Sequence, residues 1–338
     1  MRERARNSMS DLIVLRPQGL YCPAGDFFID PWKPVERAVI THGHSDHARE
    51  GMGEYFATRQ CEPILQWRLG DQDVTALEYG EKFQLNDAII SFHSAGHVLG
   101  SAQLRVQVGD EVWVASGDYK RQHDPTCAPF EVVECDTFIT EATFGLPIYH
   151  WPLTADVARD IEAWRAECEV RGQAAILYAY ALGKAQRILA ELKPFANGPV
   201  YLHGAMDAGV AIYREAGIGL IETERVADQA NDFSFAGKLI LAPPSAAGTT
   251  WLRRFGKAQH GFASGWMQVR GNRRRRNYDR GFVVSDHADW NDLLTTIAET
   301  KAKRVIATHG NTDALVKHLS AKGVNVGTFT TSFGEVDE

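Results

Sequence analysis

The sequence has no run of roughly 18 consecutive apolar residues, the length a membrane-spanning helix needs, so no membrane partner is expected. It is also poor in cysteine. The five present, Cys22, Cys61, Cys127, Cys135 and Cys168, form no C-x-x-C pair and are odd in number, which argues against a disulfide framework and against a thiolate metal site. Positive charge is in short supply. With 36 Lys and Arg against 43 Asp and Glu, the formal net charge is -7, so a polyanionic partner would have to be met by a local gathering of cations. There is no internal repeat, no low-complexity run and no secretory pattern: the basic opening MRERARNSMS is followed only by a short apolar stretch, with no small-residue cleavage site. The cytoplasm is therefore the expected compartment, and Met9 offers an alternative start after a loose tail. What remains is an ordinary globular composition, 44% hydrophobic and 23% charged over 338 residues, enough for one large domain or two fused ones.

Up to about residue 145 the pattern builds sheet. Short apolar runs at 12–15, 27–29, 37–40, 89–92, 104–108 and 112–115 are broken by Gly, Asp and Pro, with Gly109-Asp110 as a hairpin turn. From about 150 the character changes. Thr154 is expected to cap a helix running to Arg171, with Val157, Ile161, Trp164 and Cys168 on one face and Gly172 as its stop. Residues 174–180, 183–192, 199–203, 208–216 and 239–242 then read as strand, helix, strand, helix and strand, the alternation of a parallel α/β unit. After a basic segment, strands are expected at 282–284 and 304–307, each leading to a histidine and a helix.

The chemistry concentrates in His42-Gly43-His44-Ser45-Asp46-His47, directly after the apolar Ala38-Val39-Ile40. Three imidazoles and a carboxylate within six residues suit a place where neutral nitrogens and hard oxygens converge on divalent cations; packing alone rarely concentrates histidine so. His97, Asp118 and His309 recur at the same kind of place, just past the end of an expected strand, and strand ends of one sheet can meet at one edge.

His42-x-His44-x-Asp46-His47, His97 in Ser94-Ala95-Gly96-His97, and Asp118 in Ser116-Gly117-Asp118 resemble the successive metal motifs of the metallo-β-lactamase superfamily, and Asp30 is similar to its first, supporting motif. The remainder resembles the β-CASP nuclease branch: Glu141 in Thr140-Glu141-Ala142-Thr143, His287 in Ser285-Asp286-His287-Ala288-Asp289, and His309 in Thr308-His309-Gly310 stand in that branch's order. Ala181-Leu182-Gly183-Lys184-Ala185-Gln186 resembles its helix-opening motif. One departure is Ala142-Thr143-Phe144, where many relatives have Ser-Thr-Tyr. Within the branch, the chain looks most like the bacterial ligase-associated DNA exonucleases.

The resemblance implies an α/β chain: a metallo-β-lactamase αββα sandwich formed by residues 1–146 and 282–338, with an inserted α/β β-CASP-like cap at 147–281. It implies two divalent ions, Zn²⁺ or Mn²⁺, one held by His42, His44, His97 and Asp118, the other by Asp46, His47, Asp118 and His309. The implied reaction is hydrolysis of DNA by a hydroxide held between them, in exonucleolytic repair associated with a DNA ligase; RNA processing is the alternative, and a small-molecule metallo-hydrolase a more distant one. His287 is the expected proton donor, with Glu141 orienting it and Asp46 completing the catalytic set. Lys120 and the run Arg273, Arg274, Arg275, Arg276 are expected to meet phosphates, and Trp251, Trp266 and Tyr278 to pack the core or stack bases.

Overall fold

The structure is a computed structural model of the chain and describes residues 11–269 and 278–331. In chain order the elements are β1 Val14–Arg16, β2 Gly19–Cys22, β3 Phe27–Ile29, β4 Arg37–Val39, β5 Glu54–Thr58, α1 Glu62–Leu69, β6 Val74–Leu77, β7 Phe83–Leu85, β8 Ala88–Ser94, β9 Ala102–Val108, β10 Glu111–Ala115 and β11 Thr137–Glu141. Then follow α2 Thr154–Val170, β12 Ala174–Tyr178, α3 Lys184–Leu192, β13 Val200–Leu202, α4 Asp207–Glu215, β14 Thr223–Arg225, β15 Leu239–Ala242, β16 Ala258–Ala263 and β17 Arg280–Phe282. The chain closes with α5 Trp290–Glu299, β18 Arg304–Thr308, α6 Thr312–Ala321 and β19 Val326–Thr328.

They form three sheets. The first runs β1 to β6 in order, and the second is ordered β19-β18-β11-β10-β9-β8-β7. These two pack face to face, because Val39, Phe56 and Leu77 of the first share one apolar cluster with Ile90, Leu104, Trp113, Ile139 and Ile306 of the second. Burying a large apolar side chain in such a layer contributes about 1.5–3 kcal/mol. Helix α1 covers the outside of the first sheet through Leu65 against Ile40, Tyr55 and Ala57. Helices α5 and α6 cover the outside of the second through Ile297, Leu315 and Leu319 against Phe138 and Val305. The layering is helix, sheet, sheet, helix.

The third sheet, ordered β14-β13-β15-β12-β16-β17, is parallel throughout and buried on both faces. Side chains of β12 alternate accordingly: Ala175 and Leu177 meet α2 and α3, whereas Ile176 and Tyr178 meet Phe235, Phe255 and Phe262. Helix α3 ties this part to the rest. Arg187, fully buried, lies 3.5 Å from Asp124 in the loop after β10 and also donates to the carbonyls of His123 and Ser285. Removing one partner of such a pair costs roughly 3–5 kcal/mol, because the other charge stays buried.

Two expectations need correction. Thr154 does not cap α2: it is the first helical residue, Leu153 stands at the cap, and the Thr154 hydroxyl is turned to Gln122 Oε1 at 3.4 Å. The strand expected at 282–284 is β17, Arg280–Phe282, and it joins the third sheet by pairing with β16, since Gly261 to Ala263 give it a parallel edge. Residues 283–289 then descend as loop to the ligand-bearing edge.

Candidate metal centre

All the proposed ligands follow strand ends that point to one edge. β8 runs in the same direction as β10, β11 and β18, being antiparallel to β9, which is itself antiparallel to β10. His97, Asp118, Glu141 and His309 therefore emerge together, and the His42–His47 loop arrives from β4 of the facing sheet. The exits are sharp. Asp30 (φ 43°) and His309 (φ 58°) adopt the left-handed region that side chains other than glycine rarely occupy, a strain that persists only where surroundings enforce it. Gly117 (φ 55°) has no substitute: a Cβ there would lie 2.7 Å from Thr41.

The nitrogens of three histidines converge. His44 Nδ1 lies 3.2 Å from His42 Nε2 and 3.1 Å from His97 Nε2. Their opposite nitrogens fix the tautomers. His97 Nδ1 donates to the Asp286 carbonyl at 2.8 Å and His44 Nε2 to the Leu182 carbonyl at 3.3 Å. His42 Nδ1 donates to Thr41 Oγ1 at 3.1 Å, because that hydroxyl gives its own proton to Asp30 Oδ2 at 2.6 Å. Three bare lone pairs thus face one another and cannot hydrogen-bond among themselves. A cation resolves the conflict: zinc–nitrogen bonds of about 2.0–2.1 Å put tetrahedral ligands roughly 3.3–3.4 Å apart. Asp118 Oδ2 completes the group, 3.5 Å from His42 Nε2 and 3.9 Å from His97 Nε2, and its buried Oδ1 has no hydrogen-bond partner among the described residues.

A second group is formed by Asp46, His47 and His309. Asp46 Oδ2 lies 3.6 Å from His47 Nε2 and 3.7 Å from His309 Nε2, and the two rings stack in parallel at 5.1 Å. Asp118 Oδ2 lies 3.3 Å from His47 Nε2, so this carboxylate stands between the groups. Asp30 supports from behind, accepting from His47 Nδ1 at 2.7 Å and from the Thr41 amide at 2.8 Å.

Electrostatics separates the histidines. Burial holds His42 and His44 below the usual imidazole value, and burial together with His287 and His44 pushes His97 down to about 3, so all three are neutral. His47 goes the other way: burial opposes its charge, but Asp118, Asp46 and Asp30 together outweigh burial and raise it well above. Burial likewise opposes ionisation of Asp118, yet His47 and His287 hold it well below the carboxylate range.

Beside the first group, His287 Nδ1 donates to Glu141 Oε2 at 2.8 Å, and one ligand atom from each of Asp118, Glu141 and His287 lies within 4.8 Å of the others. Glu141 is itself held by the Tyr119 amide at 2.7 Å and Thr143 Oγ1 at 2.6 Å. The structure therefore brings together His42, His44, Asp46, His47, His97, Asp118, Glu141, His287 and His309. Lys120 is not at the mouth of this site. It is buried and donates to the Ser285 carbonyl at 2.6 Å, and burial, with Arg187 adding, pulls its ammonium down to about 7. Arg273, Arg274, Arg275 and Arg276 lie outside the described residues. Trp251, Trp266 and Tyr278 pack on the third sheet's apolar cluster. Sequence reasoning missed the carbonyls of Leu182 and Asp286 that set two tautomers. Only the helix-opening motif pointed there.

No family model matches the chain. It is 29% identical over 309 residues to a probable DNA ligase of Opitutus terrae, an alignment covering 90% of this chain and 30% of that protein. It is 24% identical over 211 residues to an RNase J-like protein of Methanocaldococcus jannaschii, covering 54% of this chain and 50% of that one. The chain is a relative of the β-CASP nucleases. It spans about a third to a half of the length of these two curated relatives. The fold is also similar to a protein of unknown function from Enterococcus faecalis V583, with TM-score 0.60 at 11% identity, covering 88% of this chain and 80% of that one. No helix among the described residues is long and apolar enough to cross a membrane.

Proposed function

We propose that the chain is a two-metal phosphodiesterase of the metallo-β-lactamase fold that hydrolyses DNA. Among the described residues, 11–146 and 283–331 would form the sandwich, and 147–269 with 278–282 the β-CASP cap. The observation that carries the reading is the convergence of three proton-free imidazole nitrogens, His44 Nδ1 lying 3.2 Å and 3.1 Å from those of His42 and His97, beside a buried carboxylate with an oxygen that has no hydrogen-bond partner among the described residues. His42, His44, His97 and Asp118 would hold one divalent ion; Asp46, His47, Asp118 and His309 the other, as Zn²⁺ or Mn²⁺. When bound, such ions supply a hydroxide-like nucleophile at neutral pH and positive charge for the phosphate oxygens.

The remaining work falls to the chain's own residues. In its doubly protonated form His287 would keep its Nδ1–H on Glu141 and give its Nε2 proton to the departing oxygen, a role worth roughly 10²–10⁴ in rate. Glu141 holds the ring in that orientation, and Trp151 Nε1, donating to the His287 carbonyl at 2.8 Å, holds the backbone that carries it. Asp46 stays ionised despite its burial because His47 and His309 stabilise its charge, and so can orient His309.

DNA is favoured over RNA because the ligase-named relative aligns over 90% of this chain, the RNase J-like one over 54%. That likeness also supports exonucleolytic repair alongside a ligase. The test is purified protein with end-labelled single- and double-stranded DNA and RNA, in Mn²⁺ and in Zn²⁺, with a chelator control. Stepwise, chelator-sensitive shortening of DNA is expected. Cleavage of RNA alone would move the reading to RNA processing, and cleavage of neither to a small-molecule hydrolase.

A further inference from the structure

Two histidines of the first ligand group owe their orientation to segments outside the strands that carry them. The Leu182 carbonyl, one residue before the Gly183 turn that opens α3, accepts from His44; the Asp286 carbonyl accepts from His97. These two acceptors are tied to each other. Lys184, the first residue of α3, places Nζ 3.5 Å from Asp286 Oδ2, and the two side chains are only 1% and 4% exposed. Tyr180 lies 5.0 Å beneath the ammonium and limits its freedom.

We propose that the Lys184–Asp286 pair is a positioning device for the first cation: it locks the α3 opening to the segment before His287 and so keeps the His44 and His97 lone pairs turned inward. A buried pair has to offset the desolvation of both charges, so it persists only where its geometry is held. Outer partners that fix imidazole tautomers typically govern metal affinity by about 10–100-fold. The effect should be selective, because His47 of the second group is held by Asp30, which follows β3 of the first sheet and not α3 or the 283–289 segment. This inference rests on reading the two groups as cation sites.

The experiment is competitive Zn²⁺ titration of the full chain against a chromophoric chelator, with Lys184→Met, Lys184→Arg and Asp286→Asn beside the wild type. The wild type should take two ions. Lys184→Met and Asp286→Asn should weaken one of the two by roughly 10–100-fold and leave the other nearly unchanged, while Lys184→Arg, which keeps the charge, restores most of the affinity. Long-range ¹⁵N–¹H spectra of the zinc-loaded Lys184→Met protein should show His44 or His97 leaving its single tautomer. Unchanged affinities, or both falling together with the thermal midpoint, would overturn the positioning role. A wild type that takes up no zinc would overturn the metal reading itself. Should Lys184→Met fail to fold, Asp286→Asn, which keeps side-chain shape and the backbone carbonyl, decides on the same criteria.

Discussion

The two ligand groups share Asp118 but are built differently. The first is almost sealed, made of imidazoles that burial keeps neutral, and its outer support comes from the α3 opening and the segment before His287 for His44 and His97, and from Thr41 for His42. The second is more open, with Asp46 and His309 partly exposed, and its support comes from within the first sheet, through Asp30. The second pairs its histidines with carboxylates, Asp46 with both and Asp118 with His47.

The comparison breaks completely at Asp118. Because this one carboxylate serves both groups, Asp118→Ala should lose both ions and more activity than any other single change, which metal analysis and turnover together would reveal. Retention of either ion at wild-type affinity would contradict the shared role.

His287 belongs to neither group, so His287→Ala should keep both ions while turnover falls by roughly 10²–10⁴. A substrate with sulfur at the scissile bridging oxygen separates the possible roles. A thiolate leaves without a proton, so the variant should recover much of its rate on one of the two bridging-sulfur substrates. Equal impairment on oxygen and sulfur would return the proton to another group.

Asp30→Asn tests mainly the second group, because Asp30 meets His47 directly and His42 only through Thr41. It removes the carboxylate that accepts from His47 Nδ1 and should weaken one ion by about 10–100-fold and the other by less. Isothermal titration with Mn²⁺ reads it; equal weakening of both ions would mean that the groups are not separately supported.

The smallest effect is expected far from both. Replacing Arg273, Arg274, Arg275 and Arg276 by Ala should leave metal content alone and make log affinity for single-stranded DNA less dependent on log salt, by about 0.7 for each phosphate no longer neutralised. An unchanged slope would return these arginines to an ordinary solvated face.

The convergence of these side chains was legible because metal chemistry needs particular residue types, and three histidines with an aspartate in six residues have few other uses. His97, Asp118 and His309 could be read from their places after strands, because a sheet gathers the ends of strands that run alike. Glu141 was legible only through resemblance: β11, which carries it, was not recognised, since Thr137 and Thr140 interrupt its apolar pattern while both are buried in the sheet. Lys120 misled, because position beside Asp118 says nothing about burial. The Lys184–Asp286 pair was beyond reach: its partners lie about a hundred residues apart, and only the docking of α3 against the 283–289 segment makes them neighbours.

The central claim is that this edge holds two cations in two unlike groups. Crystals grown from zinc-loaded protein, with anomalous diffraction recorded above and below the zinc edge, test it most directly. Two peaks are expected, one among His42, His44 and His97, the other beside Asp46, His47 and His309, with Asp118 between them. A single peak, or none, in protein that still cleaves DNA would contradict it.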